Sequence, residues 1–387
     1  MKSQIIEQKY LVQIYMRRGL TFIKGEGVYL IDSKGDKYLD LMGNIAVNIL
    51  GYSHQGIVNT ICSQAKTLTN LHGSFANDKR AQATKALIQK MPESLTRVFF
   101  SNSGTEAVEA ALKFAHLKTG CCHFVVSKGA YHGKTLGALS LMGNAKYREP
   151  FNKLINPNVS FVEFNDIKDL ESQVDEKTAA VILEPIQGEA GIISATYEFL
   201  KSAREITEEK GSLLIFDEIQ SGMGRTGKLL SSSWSEVQSD IVCLAKGLSA
   251  GFPIGATVVS ESVHQKIPRG SHTSTFGGNP LSCAVCLKTL ELLTEDLLYK
   301  VEKLGNYFID GLRQIKSEKI VEIRGKGLMI GIELSISNTK VLKALQQRKI
   351  LAAPSGSNVI RLLPPYIIEK EHINLFIKEF EEILKEV

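Results

Sequence analysis

The chain has 387 residues, of which 43% are hydrophobic and 22% are charged, and its formal net charge at pH 7 is +5. This length predicts more than one domain, and the composition is typical of a globular protein. The basic residues are spread without a long run, so neither nucleic acid nor a membrane surface is an expected partner. With six cysteines, no apolar stretch near the ~18 residues of a membrane span, and no signal peptide, we expect a cytoplasmic protein with reduced thiols.

Residues 1–54 predict an N-terminal segment that contains a helix and a hairpin. The hairpin is expected because two apolar runs, 27–32 and 37–41, are separated by the turn signal at 32–35. We see no internal repeat and no low-complexity linker after this segment, so the remaining chain divides by its pattern of apolar runs.

Residues 55–279 alternate helical segments with short apolar runs. The helical segments are 57–70, 79–90, 105–118 and 197–210. The apolar runs are 98–100, 124–126, 159–162, 180–183, 213–216, 241–245 and 256–259. This alternation predicts a large α/β domain with a mainly parallel, seven-stranded sheet covered by helices.

Residues 280–387 predict a smaller C-terminal α+β domain. Its helical patterns are 281–294, 297–315, 338–348 and 371–386, and its strand-like runs are 320–323, 328–334 and 359–363. Cys283 and Cys286 have the C-x-x-C spacing of a redox or metal site. No second cysteine or histidine pair lies nearby, so we expect both thiols to be buried in a helix.

A lysine directly follows one of the predicted buried strands. The run Ile241–Ala245 is apolar without alternation, which is typical of a strand that is buried on both faces. Lys246 would therefore leave the sheet at the crevice where open α/β sheets bind ligands. Burial lowers the pKa of an ammonium, which makes the amine a nucleophile. Taken alone, the stretch favours a surface lysine just past a strand.

Polar groups follow three other strands of the same sheet. The segment Ser103–Thr105 opens a helix, where free N–H groups and the helix dipole favour an anion, although an ordinary N-cap has the same pattern. Asp217 and Glu184 each come directly after an apolar run. Because strand ends on one edge of a sheet face one crevice, we expect these groups to converge with Lys246.

A lysine, a carboxylate and an anion cradle at one sheet edge suit pyridoxal 5′-phosphate (PLP). Its aldehyde needs an amine, its phosphate needs hydrogen-bond donors, and its ring nitrogen needs an anion to stay protonated. The sequence therefore predicts PLP as the cofactor.

Two glycine-rich stretches resemble nucleotide-binding motifs, but both fit poorly. Gly222–Gly227 matches G-x-G-x-x-G, yet it starts five residues after Asp217 and precedes a poor helix pattern. Gly129–Thr135 resembles a P-loop with one residue too few between the glycines. A nicotinamide enzyme and a P-loop NTPase are therefore disfavoured. His132 and the other histidines lack metal-ligand spacing, so no metal site is predicted.

With these motifs placed, the whole chain resembles the class III (ω-amino acid) aminotransferases, which are PLP enzymes of fold type I. Within the family it is most similar to the acetylornithine aminotransferase branch, which includes enzymes acting on lysine or ornithine linked to an amino-group carrier protein. The resemblance implies a large PLP-binding domain, a smaller C-terminal domain, and a homodimer whose active sites are shared between subunits.

The resemblance also implies a role for each motif residue in binding the cofactor. Lys246 would carry PLP, Asp217 would pair with the ring nitrogen, and Gln220 would reach the ring hydroxyl. The other implied contacts are the phosphate donors Ser103, Gly104 and Thr105, the stacking residue Tyr131, and Thr275, which would reach the phosphate bound by the neighbouring subunit.

Three further residues are implied to bind the substrates. Arg361 would hold the α-carboxylate of glutamate and 2-oxoglutarate, and Glu189 would pair with Arg361 when the ω-amino substrate is bound, because an unpaired buried guanidinium is costly. Lys134 stands where the family usually has an arginine expected to grip a substrate carboxylate. Lysine keeps the charge but lacks the bidentate fork, which leaves room for a carrier-linked substrate or a looser specificity.

The sequence thus predicts a transaminase of arginine or lysine biosynthesis. It would move the terminal amino group of an N-acylated ornithine or lysine to 2-oxoglutarate, giving a semialdehyde and glutamate. The expected donors are acetylornithine or lysine or ornithine linked to an acidic carrier protein. An ornithine or 4-aminobutyrate aminotransferase, an aminomutase, and a non-catalytic or nucleotide-binding α/β protein are the alternatives.

Overall fold

The structure is a computed structural model that describes residues 2–387. Its strands, in chain order, are β1 (Phe22–Glu26), β2 (Tyr29–Asp32), β3 (Lys37–Asp40), β4 (Leu95–Ser101), β5 (His123–Ser127), β6 (Val159–Val162), β7 (Thr178–Leu183), β8 (Ile186–Gln187), β9 (Ile193–Ser194), β10 (Leu213–Asp217), β11 (Ile241–Leu244), β12 (Gly255–Ser260), β13 (Ile320–Lys326), β14 (Met329–Leu334), β15 (Ile350–Leu351), β16 (Ala353–Ser355) and β17 (Val359–Leu362).

Its α-helices, in chain order, are α1 (Lys2–Tyr10), α2 (Gly43–Ala46), α3 (Gln55–Ala65), α4 (Asp78–Ile88), α5 (Gly104–Thr119), α6 (Leu136–Ser140), α7 (Ala145–Arg148), α8 (Ile167–Gln173), α9 (Tyr197–Lys210), α10 (Glu261–His264), α11 (Pro280–Leu292), α12 (Glu295–Arg313), α13 (Asn338–Gln347) and α14 (Lys370–Glu386). Short 3-10 turns cover Glu149–Phe151, Ser231–Trp234 and Lys246–Ser249. No helix among the described residues combines the length and the apolar character that crossing a membrane requires.

A seven-stranded sheet with the order β4-β12-β11-β10-β7-β5-β6 forms the centre of the molecule. The seven strands coincide with the seven apolar runs seen in the sequence, except that Ala245 lies just beyond β11. Only β12 runs antiparallel to its two neighbours, β4 and β11, while the other pairs are parallel. Every residue of β7, β10 and β11 is buried, as expected for strands covered by helices on both faces. The expected mainly parallel sheet is confirmed.

Helix α5 covers one face of this sheet and starts at the edge where the predicted functional residues lie. The Ser103 side chain caps its first turn by accepting a hydrogen bond from the Glu106 N–H, and Gly120 ends it in a left-handed conformation. Such an N-cap contributes about 1 kcal/mol. The alanine-rich face of α5 is buried against the central sheet, which fixes the position of its N-terminus.

Two four-stranded sheets flank the central one. The first has the order β1-β2-β3-β15 and joins the N-terminal hairpin to the C-terminal region, because Ile350 of β15 pairs in parallel with Leu39 of β3. The second is antiparallel, with the order β13-β14-β17-β16. Its β17 lies beside β14 and carries Arg361 opposite Gly331, so this sheet brings the arginine towards the central sheet.

The C-x-x-C cysteines lie in the buried part of α11. Burial raises the pKa of the Cys283 thiol to about 12 and that of Cys286 further still. Both thiols are fully enclosed among apolar side chains of the core. They therefore pack as small apolar residues, as the sequence predicted.

The short element α2 is a left-handed turn and not a regular α-helix. Gly43, Asn44, Ile45 and Ala46 have consecutive φ values of 52, 53, 58 and 68°. An L-residue in this region costs about 1–2 kcal/mol, so only strong local packing keeps the turn. Gly43 permits the turn, because an added Cβ would lie 2.6 Å from the Leu363 carbonyl oxygen. The turn delivers the next residue, Val47, to the wall of the main cavity.

Candidate active site

A cavity of about 470 Å³ lies at the edge of the central sheet where the parallel strands end. Nine of the residues singled out from the sequence line it: Ser103, Gly104, Thr105, Tyr131, Lys134, Glu189, Asp217, Gln220 and Lys246. Arg361 contacts two of these side chains from the neighbouring sheet. The convergence expected at this edge is therefore present, although the residues are spread over more than 250 positions of the sequence.

Lys246 follows β11 and starts a 3-10 turn with the strained φ of 41°. Its side chain is enclosed by protein but keeps some exposure to the cavity. Loss of contact with bulk water, helped by the positive charge of Arg361, lowers the pKa of Lys246 to about 8. The carboxylates of Glu189, Asp217 and Glu184 act in the opposite direction. The ammonium can therefore lose its proton near neutral pH.

Asp217 ends β10 and is held by two hydrogen bonds. The Nδ1 atom of His132 lies 2.8 Å from its Oδ2, and the Ile219 N–H donates to its Oδ1 over 3.0 Å. Burial disfavours the protonated form of His132, but the hydrogen bond and the charge of Asp217 outweigh it and raise the histidine pKa. Within residues 2–387 the Nε2 atom of His132 has no partner. The carboxylate is thus oriented on the floor of the cavity.

Glu184 directly follows β7 and lies close to this pair. Its Oε2 accepts a hydrogen bond from the Tyr131 N–H over 3.1 Å, which links the end of β7 to the loop after β5. Burial raises the pKa of Glu184 to about 7, despite the opposing effect of His132. Glu184 is therefore a second acid of the cavity that changes charge near neutral pH.

The N-terminus of α5 closes another side of the cavity. The Ser103 hydroxyl donates to Glu106 Oε2 over 2.7 Å and caps the helix, so the N-cap arrangement is real. The Gly104 and Thr105 N–H groups belong to the first helical turn, where the N–H groups have no acceptor within the helix. Gly133 approaches this turn so closely that a Cβ would lie 2.3 Å from Thr105 Oγ1. The cradle is lined by small groups and offers N–H donors.

Arg361 on β17 is almost fully buried and forms an ion pair. Its Nη2 lies 2.8 Å from Glu189 Oε1, and its Nη1 donates to Gln220 Oε1 over 3.1 Å. Its Nε has no partner within residues 2–387. Glu189 keeps about a third of its exposure, so it is the movable member of the pair. Gln220, which was expected to face a ring hydroxyl, bonds to Arg361 here.

Lys134 and Thr275 lie away from the centre of the cavity. Lys134 is exposed at the cavity mouth, and its Nζ lies 5.0 Å from the centroid of the Tyr147 ring. Thr275 is exposed in the loop between α10 and α11 and does not line the cavity of its own chain. Its expected contact is with a neighbouring subunit, so its position in one chain leaves that prediction untested.

Residues 15–384 match the model of a protein family described as Aminotransferase class-III. The chain is a class-III aminotransferase. The family that the sequence motifs indicated is thereby confirmed, and membership does not favour the nucleotide-binding alternatives.

Relatives of this aminotransferase cover its full length. It is 39% identical to the acetylornithine aminotransferase of Methanopyrus kandleri, over 100% of this chain and 99% of that protein. It is 42% identical to the LysW-aminoadipate semialdehyde/glutamate semialdehyde transaminase of Sulfolobus acidocaldarius, over 97% and 96% of the two chains.

A solved structure with the same fold is the ornithine aminotransferase of Toxoplasma gondii crystallised with oxidised glutathione, which has partial occupancy of PLP at its active site. It shares 32% identity and a TM-score of 0.94 with this aminotransferase, over 100% of this chain and 94% of that chain. The fold predicted from the sequence is confirmed by this match.

Sequence reasoning missed the role of His132 in this aminotransferase cavity, and it placed Glu184 at this edge without giving it a role. His132 was considered only as a metal ligand, and Glu184 was noted as a strand-end acid without a function. The partner of His132 lies 85 positions away, so no local spacing could reveal the pair. The strand-end position of Glu184, which resembles that of Asp217, was the signal that placed it at this edge.

Proposed function

We propose that the chain is a PLP-dependent transaminase that moves the terminal amino group of an N-acylated ornithine or lysine to 2-oxoglutarate. The products are the corresponding semialdehyde and glutamate. One observation carries the proposal: a lysine with a pKa lowered to about 8, a buried carboxylate and a helix N-terminus all face one cavity. Membership of the aminotransferase family supports the reaction type.

The residues present fit PLP. The N–H groups at the start of α5 suit a phosphate, and Gly133 lets the loop after β5 pack closely against this turn, because any added Cβ would clash with Thr105. Asp217 offers an oriented anion for a protonated ring nitrogen, and Lys246 offers an amine for an aldehyde. When bound, PLP supplies the carbonyl carbon that receives the amino group and a ring that takes up an electron pair.

We assign the acid–base work to Lys246. Its neutral amine would hold the cofactor through the aldehyde, and when that amine is free its Nζ would accept a proton from the substrate and later return it. Asp217, fixed by His132, stabilises positive charge at the ring nitrogen. Ser103, Gly104 and Thr105 hold the phosphate.

Tyr131 and Gln220 complete the proposed cofactor contacts, at the ring face and the ring hydroxyl. Tyr131 lines the cavity and its backbone is fixed by Glu184. The amide oxygen of Gln220 accepts a hydrogen bond from Arg361. This leaves the amide hydrogens as the donors available to a ligand.

We assign substrate exchange to Arg361 and Glu189. The guanidinium is buried and needs an anion in both half-reactions. In the half-reaction of the ω-amino donor, Glu189 is that anion, at the observed 2.8 Å. In the half-reaction of glutamate and 2-oxoglutarate, the α-carboxylate of the substrate replaces Glu189, which can swing away because it is partly exposed.

The proposed donors follow from the relatives and from the chemistry of the cavity mouth. The names of two relatives refer to acetylornithine and to a LysW-linked semialdehyde. Lys134 at the mouth offers a cation for the distal carboxylate of either kind of substrate. An acidic amino-group carrier protein is therefore a proposed partner.

We further propose a homodimer in the cytoplasm. In it, Thr275 would reach the phosphate bound by the other subunit, consistent with its exposure outside its own cavity. Among the described residues all six cysteines are free thiols, which suits a reducing compartment.

A side-by-side donor assay tests the proposed function. N²-acetylornithine, carrier-linked lysine and free ornithine are each offered with 2-oxoglutarate, and glutamate formation is measured. The N-acylated donors should have the higher kcat/KM, and no product should form without 2-oxoglutarate. Lys246→Ala should abolish turnover, because the other lysine that lines the cavity, Lys134, is exposed at its mouth.

The fold of Lys246→Ala is checked by the fluorescence of Trp234, the single tryptophan of the chain. Turnover by the folded variant would remove the proposed mechanism. Preference for free ornithine would point to an ornithine aminotransferase instead. Rearrangement of a donor without 2-oxoglutarate would point to an aminomutase.

A further inference from the structure

The loop of residues 188–192, which joins β8 to β9 and carries Glu189, contains a strained backbone. Ile192 has a φ of 61° and Gly191 has a φ of 112°, and both residues are buried. A β-branched residue is an outlier in the left-handed region, so Ile192 is strained. Such strain persists only where the surrounding structure holds the backbone, and without those contacts the loop would relax to another conformation.

Two side chains of the C-terminal sheet hold this backbone. The Ser355 hydroxyl on β16 donates to the Glu189 carbonyl oxygen over 2.6 Å. The Arg324 Nε on β13 donates to the Gly191 carbonyl oxygen over 2.8 Å. These two hydrogen bonds, called the loop anchor below, fix the backbone on both sides of Ala190 and therefore fix the direction in which the Glu189 side chain leaves the loop.

Arg324 is oriented for this contact by two carboxylates. Its Nη1 donates to Glu322 Oε2 and to Glu333 Oε2, each over 2.6 Å. An added Cβ at Gly191 would lie 2.8 Å from Arg324 Nη2, so the glycine is what lets the guanidinium approach the loop. The arginine is thus held by its own sheet and presents its Nε to the loop.

The same sheet carries Arg361, the ion-pair partner of Glu189. Arg361 of β17 pairs with Ala353 of β16, and Ser355 of β16 pairs with Val359. Ser355 is therefore close in register to the position opposite Arg361. One sheet thus positions both the backbone of Glu189 and the guanidinium that its carboxylate contacts.

Glu189 and a substrate carboxylate compete for this guanidinium in the proposed reaction. The apparent Kd of the substrate carboxylate rises as the fraction of molecules with a free Arg361 falls. A carboxylate that is already held near its partner loses less conformational freedom on pairing, so its ion pair is stronger. The loop anchor should therefore strengthen the competitor.

We propose that Ser355 and Arg324 are positioning residues that hold Glu189 on Arg361 and so set the balance between glutamate and the ω-amino donor. Neither of them lines the cavity, so they act through Glu189. This role rests on the exchange proposed above for Glu189 and Arg361, and it adds the residues that set its strength. Weakening the anchor should make glutamate bind more tightly, whereas a general loss of structure would make it bind more weakly.

Ser355→Ala tests the anchor, because it removes one of the two hydrogen bonds with little change in volume. In the PLP-loaded protein, the apparent Kd of glutamate should fall about threefold, within the range of one neutral hydrogen bond. It is measured from the concentration dependence of the cofactor absorbance change in the glutamate half-reaction. The Kd of glutarate, which has no amino group and is measured by calorimetry, should fall by the same factor. Arg324→Gln should shift both constants in the same direction.

Glu189→Gln provides the background in which the anchor has nothing to act on. Without the competing carboxylate, Ser355→Ala should leave the Kd of glutarate unchanged, which makes the two substitutions strongly non-additive. Thr207→Val is the matched control, because it removes another buried hydroxyl that donates to a backbone carbonyl, on α9. It should leave the Kd of glutarate at the wild-type value.

An unchanged or higher Kd in Ser355→Ala, or an equal fall in Kd in the Glu189→Gln background, would overturn the anchor while leaving the transaminase intact. Absence of any absorbance change with both glutamate and N²-acetylornithine in the wild type would instead overturn the proposed function. Urea unfolding, followed through the fluorescence of Trp234, shows that each variant is folded.

Discussion

Lys246 must be neutral to attack an aldehyde or to accept a proton, and its surroundings make that possible at physiological pH. With a pKa lowered to about 8, roughly one molecule in ten has the neutral amine at pH 7. An ordinary lysine has a pKa near 10.4, so its neutral fraction at pH 7 is about two hundred times smaller. Burial supplies most of the effect, and Arg361 adds to it through charge repulsion.

The lowered pKa predicts how the cofactor-free protein captures PLP. Because the neutral amine is the reactive form, the coupling rate should rise about tenfold per pH unit below pH 8 and level off above it. Stopped-flow absorbance between pH 6 and 10 measures this. Nα-acetyl-lysine amide, treated in the same way, corrects for the ionisation of PLP itself.

Replacing Arg361 tests whether its charge contributes to the lowered pKa of Lys246. Arg361→Gln removes a positive charge that lowers the pKa of Lys246, so the midpoint of capture should move to higher pH. A midpoint near that of an ordinary lysine in the wild type, or a downward shift in the variant, would contradict this explanation.

Individual residues differ in how far the sequence could predict them. Lys246, Asp217 and Glu184 each follow an apolar run, so strand-end reasoning found them all. The partners could not be predicted, because a hydrogen bond such as that between His132 and Asp217 depends on the order of strands in space.

Among the helices and strands, the left-handed turn α2 is the element that differs most from what its residues would predict. Gly43 is its only glycine, and Ile45 is β-branched, which disfavours positive φ strongly. The turn persists because Ile45 and Ala46 pack with Ile186, Ile192, Met329 and Leu363 between the central and C-terminal sheets. No local pattern announces such a turn, whereas the regular helices and strands follow their apolar periods closely.

Asn44 provides the test of this turn, since it is exposed and has a φ of 53°. Asn44→Val should lower the free energy of unfolding by about 1–2 kcal/mol, because a β-branched residue is strained in the left-handed region. Asn44→Gly has no such strain and should keep a midpoint close to that of the wild type. Urea unfolding followed by Trp234 fluorescence compares them. Equal midpoints for the two variants would show that the turn is not strained.

At the scale of the whole molecule, the seven apolar runs predicted the number of strands but not their order. Two placements break the chain order: β5 lies between β7 and β6, and the antiparallel β12 lies between β4 and β11. Both are long-range pairings that one sequence does not encode locally. Likewise, the pairing of β15 with β3 ties the C-terminal region to the N-terminal hairpin. The edge of the sheet that carries the site was nevertheless predictable, because the carboxyl ends of parallel strands lie at the same edge.

Peptide mapping shows whether the cofactor is attached to Lys246. The PLP-loaded protein is treated with borohydride, which fixes a lysine–cofactor linkage, and is then digested and analysed by mass spectrometry. We predict that the cofactor mass is found on the peptide that contains Lys246, and that the linkage is lost in Lys246→Ala. Cofactor attached to another lysine of the wild type, or none attached at all, would contradict the account.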